Sequence, residues 1–366
     1  MAKFVCPICL SEYNKSEIKY VCPVCKQEST KGFLEREPVK CKTDGCNGHA
    51  TMRVCPKCGE ELPREAIETE NLTFSIVGVA ASGKSNYITT MLHDLKDFPG
   101  ISVSPENAET RRIYETNSDL IYEKHVKLPG TPAGFRTPQL WCIRNNMKRR
   151  GNTVPTYTFT VYDGAGEDYE SKLNHSGTEC RYIEVSKAII LILDPLILKS
   201  IQKPGVIDPD VMMNSLVGAG KQTHEKDASK IVDDLASYIK SARGISVNKR
   251  LEMPVAVVLS KFDAIENHPA FARDALVKQS SMSMRNGHVN LDEINQVDQE
   301  IRDWLCAIGE SSFVSTLESN FGNFKMFGAS SFGAPPDFTG RIPSRIESHR
   351  VLDPLLWLFK MSKFID

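Results

Sequence analysis

The sequence predicts an α/β fold: a three-layer sandwich around a mostly parallel sheet, preceded by a small metal-ribbon module. Three observations predict it. Leu72 to Tyr87 reads as a strand, a glycine loop and a helix. Apolar runs return at Ala188–Leu193 and Val255–Leu259, as strands of a parallel sheet covered on both faces tend to do. And 8 of the 11 cysteines fall in the first 58 residues. A chain of 366 residues leaves room for roughly two or three domains and ample core.

The first 64 residues hold four cysteine pairs: Cys6/Cys9, Cys22/Cys25, Cys41/Cys46 and Cys55/Cys58. Three are C-P-x-C knuckles, tight turns that put two sulfurs on one side of a loop. Two such pairs complete a tetrahedral Zn²⁺ site. Crowding of this kind points to metal rather than disulfides in a reducing compartment. Sequential pairing gives Cys6, Cys9, Cys22 and Cys25 to one zinc and Cys41, Cys46, Cys55 and Cys58 to the other. Interleaved pairing stays open. His49 could replace a cysteine, although a surface role is the plainer reading. The pattern resembles a double zinc ribbon with both sites closed by protein, hence structural rather than catalytic. About 65 residues with few large apolar side chains would be marginal without metal.

Charge limits what this module can bind. Residues 1–65 carry eleven Lys/Arg against nine Asp/Glu. Each zinc with four thiolates adds a formal charge of about −2, which leaves the module slightly negative. That disfavours a phosphate-binding surface and leaves nucleic acid as the weaker partner class. A protein partner is expected instead. The whole chain has a net charge of −1, and no signal peptide is visible after Met1. The Ala188–Leu193 run is too short to span a bilayer. A cytoplasmic protein without membrane contact is expected. Glu60–Asn71 is polar and more acidic than basic, and reads as a linker.

Gly78 to Ser85 fits G-x-x-x-x-G-K-[ST], the phosphate-cradling P-loop, between a strand and a helix. Gly78 and Gly83 let the backbone turn its N–H groups toward anionic oxygens. Lys84 would reach the terminal phosphates and Ser85 would ligate Mg²⁺. Ala81, Ser82 and Asn86 complete the expected contact set. Ile88, Met91, Leu92 and Leu95 set the inward face of the helix.

Lys96–Arg136 contains Pro99-Gly100, Pro105 and Pro129-Gly-Thr-Pro132. It reads as loop near the nucleotide, with one helix over Ala108–Lys124. Strands follow at Gln139–Arg144 and Thr156–Tyr162, joined by a basic turn. The second ends in Asp163-Gly-Ala-Gly166-Glu167, a D-x-x-G pattern. Asp163 at a strand end can hold Mg²⁺ through water. The Gly166 N–H can meet a γ-phosphate. Residues 198–225 look irregular, and Asp227–Arg243 is an amphipathic helix. Asp194 could face the site, but capping the next element is the simpler role.

Ser260-Lys261-Phe262-Asp263 follows the Val255–Leu259 strand. Guanine offers N1–H and a 2-amino group, which one carboxylate can accept together. The Lys261 stem can lie along the purine face. Leu291–Leu317 reads as one long helix and Lys325–Phe327 as the last strand. A loop over Gly328–Ser331 follows, whose backbone N–H, at Ser330, would meet the base O6. Val351–Phe364 closes the chain as a core-packed helix.

P-loop, D-x-x-G, S-K-x-D and the Gly328–Ser331 loop occur in that order, each after a strand. The chain over about 71–366 therefore resembles a P-loop NTPase of the translation-factor/Ras (TRAFAC) GTPase class. It carries insertions near 96–136 and 196–226. The resemblance implies a switch that hydrolyses GTP to GDP and phosphate, with GTP/GDP, Mg²⁺ and two Zn²⁺ bound. Two departures stand out. Ser260 replaces the usual Asn or Thr, with expected loss of a side-chain tie to the P-loop. Glu167 stands where small GTPases carry Gln, which implies slow or partner-dependent turnover. Thr137 fits the switch threonine best, with Thr131 as rival. The ribbons and the ending Arg350-Val-Leu-Asp-Pro-Leu-Leu-Trp-Leu358 resemble bacterial double-GTPase families of conflict and anti-phage systems. That would imply a partner GTPase and antiviral defence. An ATPase or P-loop kinase, and a non-hydrolysing GTP-binding scaffold, are the alternative functions.

Overall fold

The computed structural model describes residues 3–31, 37–79, 81–130, 138–148, 151–163, 180–203, 206, 207, 209 and 227–366. The N-terminal module is made of very short strands. β1 (Lys3–Val5) pairs with β2 (Glu12–Asn14). β3 (Lys19–Val21) lies between β4 (Glu28–Ser29) and β7 (Met52–Val54), and β5 (Val39–Lys40) pairs with β6 (His49–Ala50). Each C-P-x-C turn closes on the carbonyl of its first cysteine: Leu10, Lys26 and Gly59 donate to Cys6, Cys22 and Cys55 at 2.8–3.0 Å. All three donors sit in the left-handed region, with φ of 62°, 60° and 77°. The turn needs that conformation, and glycine supplies it at one position of the three.

The expected linker contains a short helix, Arg64–Glu68, and runs at Glu70 into the central strand β8 (Glu70–Gly78). The main sheet adds β9 (Ile101–Pro105), β10 (Gln139–Asn145), β11 (Thr156–Asp163), β12 (Ala188–Leu193), β13 (Val255–Leu259) and, after a small hairpin of β14 (Met284–Arg285) and β15 (His288–Val289), β16 (Phe324–Gly328). Its order is β16-β13-β12-β8-β11-β10-β9. The run from β16 to β11 is parallel, while β10 lies antiparallel between β11 and β9. This is the P-loop NTPase three-layer sandwich with its mostly parallel sheet, and the cysteine module precedes it. β9 was expected as loop, because prolines bracket it. At the sheet edge, proline costs no ladder bond.

The parallel strands are buried on both faces. Ile189, Leu191 and Leu193 point into one cluster with Leu235 and Ile239 of helix Ala228–Ala242 and Trp304 of helix Leu291–Ala307. Ile190 and Ile192 point into the other, with Met91 and Leu92 of helix Lys84–Lys96 and Leu355 and Phe359 of helix Asp353–Met361. The long helix expected over Leu291–Leu317 is two, Leu291–Ala307 and Ser311–Asn320. Gly309, at φ 90°, takes the left-handed conformation that ends the first. Among the described residues no helix is long and apolar enough to cross a membrane.

Candidate functional site

In open α/β sheets ligands bind beyond the carboxyl ends of the strands. Among the described residues, the glycine loop with Lys84, the Ser260–Asp263 stretch and Ser330 lie there, after β8, β13 and β16, and Asp163 ends β11. Gly78 is required by a close approach: a Cβ on it would meet Ile192 O at 2.5 Å. The turn itself comes later, at Ala81 (φ 62°) and Gly83 (φ 83°). Tyr87 N–H then donates to Gly83 O at 2.9 Å and starts the helix. Lys84 is buried. Its ammonium lies inside the curve of the loop, donating to Gly78 O (2.8 Å) and Val79 O (3.0 Å). The Ser82 hydroxyl is buried without a hydrogen-bond partner among the described residues. Ser85 sits on the first helical turn. Asn86 Oδ1 accepts from Leu128 N–H at 2.9 Å and so ties the helix start to the segment before residue 129.

The second loop is joined to the first. Ser260 Oγ donates to Ser82 O at 2.9 Å, with Leu193 O, 3.3 Å away, as its other acceptor. The expected loss of the P-loop tie is therefore corrected, since the shorter serine reaches the backbone that Asn was expected to hold. Lys261 has φ 51°, and its ammonium pairs with Asp194 Oδ2 at 2.6 Å. Asp194 Oδ1 accepts from Leu196 N–H at 3.0 Å. The aspartate thus caps the next turn and also holds Lys261.

Phe262 N–H donates to Ala329 O at 3.1 Å, which lays the S-K-x-D loop against the loop after β16. Burial raises the Asp263 carboxyl above the usual aspartate range, and a hydrogen bond from Ser330 works the other way. Ser330 Oγ also accepts from Gly333 N–H (2.9 Å), which leaves its proton for Asp263. The Ser330 N–H donates to His349 O at 3.0 Å. Its hydroxyl is the group that meets the Asp263 carboxylate. His349 stacks on Phe262 at 5.7 Å and 11°, with Nε2 2.7 Å from Val277 O.

Asp163 ends β11 in register with Ile76 of β8. Thr131, Thr137, Gly166 and Glu167 lie outside the described residues. The pairing of Asp194 with Lys261 is not foreseen in the sequence, where Asp194 reads only as facing the site or capping the next element.

The cysteines form two clusters: Cys6, Cys9, Cys55 and Cys58, and Cys22, Cys25, Cys41 and Cys46. Sequential pairing is overturned in favour of a nested one. The reason lies in β3 and β7, which pair antiparallel with Val21 opposite Met52 and Lys19 opposite Val54. Cys22 and Cys55 therefore leave the pair at opposite ends, each toward a different partner knuckle. Sulfurs sit 3.8 Å (Cys9–Cys55), 3.8 Å (Cys22–Cys46) and 3.5 Å (Cys25–Cys41) apart. Four thiolates about 2.3 Å from a tetrahedral zinc are about 3.8 Å from one another, so the donor set fits Zn²⁺. His49 is exposed and belongs to neither cluster.

The first knuckle does not hang free. Tyr162 OH donates to Pro7 O, and Leu10 is buried in the core cluster that holds Val77 and Tyr162.

No family model matches the chain. A curated protein of Mycolicibacterium smegmatis, "Putative ESX-1 scaffolding and assembly protein SaeC", is 23% identical over 335 residues, covering 84% of this chain and 79% of that protein. Among solved structures, the S. cerevisiae Ski7 GTPase-like domain bound to GDP and inorganic phosphate is 12% identical (TM-score 0.33), with 81% of this chain and 50% of that one covered. The same domain bound to GTP is 13% identical (TM-score 0.32), with the same coverage. Sup35 complexed with GDP is 10% identical (TM-score 0.25), covering 79% of this chain and 44% of that one. The chain thus spans about half the length, or less, of the solved structures that it matches. The fold assignment rests on the sheet order itself.

Proposed function

We propose that the chain binds a guanine nucleotide with Mg²⁺ at the carboxyl ends of β8, β11, β13 and β16, and hydrolyses GTP to GDP and phosphate as a molecular switch. Residues 71–366 form the GTPase domain in this reading, and 1–64 form a double zinc ribbon that contacts a protein partner. One observation carries it. The 2.9 Å bond from Ser260 to Ser82 O fastens the loop carrying Asp263 to the phosphate loop, so one ligand with a base and phosphates would meet both.

The roles follow from the residues. Gly78 to Asn86 cradle the phosphates. Lys84 neutralises phosphate charge, and Ser85 and Asp163 would hold Mg²⁺, which supplies further charge neutralisation when bound. Asp263, positioned by Ser330, accepts from the guanine N1–H and 2-amino groups, and Lys261 flanks the base. Gly166, Glu167 and Thr137 are proposed for the γ-phosphate, the water and the switch. A carboxylate at Glu167 can take a proton from water yet repels the γ-phosphate, which supports slow or partner-dependent turnover. The mycobacterial relative is named for scaffolding and assembly. That supports a second reading, a GTP-binding scaffold with little hydrolysis, and in either case a protein partner in the cytoplasm.

Asp263→Asn tests the base. An amide offers one acceptor oxygen and brings a donor where guanine also donates. GTP binding is expected to fall by about 2 kcal/mol or more, while XTP, with a carbonyl in place of the amine, gains affinity. Equal ATP and GTP binding by the parent, unmoved in the variant, sinks the guanine assignment.

A further inference from the structure

In the sheet β12 lies between β13 and β8, so a ligand that reaches from the Asp263 loop to the phosphate loop passes over the carboxyl end of β12. Asp194 stands at that end, directly after Leu193. Leu193 is in register with Leu259 of β13, and the Ser260 N–H carries the ladder one step further, to Leu193 O at 2.9 Å. Lys261 follows with φ 51°. Its side chain then turns back toward β12, where the ammonium ends on Asp194 Oδ2 at 2.6 Å. The lysine stem is thereby laid from the loop after β13 to the end of β12, on the side of β13 that faces the phosphate loop.

Asp194 is itself fixed. Its Oδ1 accepts from Leu196 N–H at 3.0 Å, which leaves Oδ2 for the lysine. Its side chain is 8% exposed against 26% for Lys261, so the aspartate is the anchor and the lysine is the member open to a ligand. A free lysine stem has many rotamers, and ordering it on binding costs affinity. An ion pair with a buried carboxylate orders it beforehand. With the ammonium engaged by Asp194, the part of Lys261 left for a ligand is its apolar stem. Such a stem suits the ring face of a purine, which guanine and hypoxanthine share, and it reads neither amine nor carbonyl.

Given the nucleotide reading above, on which this rests, we propose that Asp194 is a positioning residue for the base: it holds the Lys261 stem as one wall of the purine slot. Asp194→Asn removes the charge and keeps an oxygen for the Leu196 N–H, so the turn stays capped. A double-mutant cycle in binding tests it, by titration calorimetry on the full chain with Mg²⁺. Lys261→Ala should lose about tenfold for GDP and GTP alike, the value of about two methylenes taken out of water. Asp194→Asn should lose about fivefold, since the released stem still visits the slot. The double variant should bind no more weakly than Lys261→Ala. Losses that multiply overturn the assignment, because Asp194 then acts without Lys261, and so does parental affinity in either single variant. The ratio of GTP to ITP affinity should be the same in Asp194→Asn as in the parent. A changed ratio means that Asp194 itself reads the 2-amino group, which overturns the positioning role. If Asp194→Asn fails to fold, Asp194→Ser, likewise a capping residue without charge, gives the same readouts. A parent that binds neither nucleotide fails the underlying reading. A parent that binds, and loses binding with Lys84→Ala but not with Asp194→Asn, fails this proposal alone.

Discussion

The sheet and the cysteine module are held together by different means. On the two faces of the sheet, side chains such as Trp141, Trp304, Trp357, Phe74 and Phe359 are almost fully buried. The module has Phe4, Tyr13, Ile18 and Leu62 in one small cluster, and Val39 and Ala50 in another, with cysteines filling the rest. Burial of apolar area stabilises the sheet whether or not a ligand is bound. A module this size buries too little for that, so its fold is conditional on what its thiolates hold. The two meet where Leu10 enters the sheet's own core. An element whose thiolate clusters fit a metal ion thus leans on one held by apolar burial.

The sharpest way to break this contrast is through the metal. Binding to a structural four-cysteine site is worth on the order of 10 kcal/mol, so losing one should unfold its half of the module and leave the sheet standing. Freshly reduced parent protein is expected to hold two zinc ions. With nested clusters, the double variant Cys6→Ser/Cys55→Ser damages one site and keeps one zinc, whereas Cys6→Ser/Cys22→Ser damages both and keeps none. Sequential pairing would give the reverse, and metal analysis of the two variants decides.

The two regions were also unequally legible. The all-apolar runs Ala188–Leu193 and Val255–Leu259 marked buried parallel strands, and the glycines and lysine of residues 78–85 placed the loop between strand and helix. Pairing among three-residue strands leaves no such pattern. Nothing in Lys19–Val21 or Met52–Val54 says that they lie antiparallel, and that single fact sets the cysteine clusters. At the site, Ser260 looked like a loss by comparison with Asn, because sequence shows side-chain length but not how near the acceptor lies. The break at Gly309 was readable as a helix-ending glycine and was passed over.

A smaller effect sharpens the comparison at the sheet edge beside helix Arg64–Glu68, where the module joins the sheet. Glu106 follows β9, and Thr158 Oγ1 donates to its Oε1 at 2.5 Å. The other oxygen is buried without a hydrogen-bond partner among the described residues. Burial raises the carboxyl from 4.5 to about 7, against the Thr158 hydrogen bond and with help from the charge of Glu65. Below pH 4.5 the group is protonated folded or unfolded, and it costs nothing. Between there and pH 7 the unfolded chain gives up its proton first, so stability falls as pH rises. Above pH 7 the full cost, on the order of 3 kcal/mol, is present. Glu106→Gln should therefore stabilise the protein at pH 8 and change little near pH 4.5. Urea melts at the two pH values check it, and an equal shift at both would mean that the carboxylate is not held in a dry site.

The least disruptive probe is the contact between the regions. Removing residues 1–64 outright would uncover the seat of Leu10 beside Val77 and Tyr162, so loss of nucleotide binding in such a truncation would not separate docking from damage. Tyr162→Phe is gentler. It keeps the ring stacked on Tyr182 at 5.2 Å and removes the hydroxyl that donates to Pro7 O, inside the first knuckle. One lost hydrogen bond costs about 1 kcal/mol, or about fivefold in the local opening equilibrium. That cost falls on the cluster of Cys6, Cys9, Cys55 and Cys58, because Pro7 lies between its first two ligands. The cluster of Cys22, Cys25, Cys41 and Cys46 has its own knuckles at the far end of the β3–β7 pair and should not respond. With an excess of chelator, zinc should leave the variant in two phases, the faster one accelerated a few-fold over the parent and the slower one unchanged. Equal acceleration of both phases would mean that the module opens as one body. No acceleration would mean that the module rests on the sheet through Leu10 and the other contacts, with the Tyr162 hydroxyl contributing nothing.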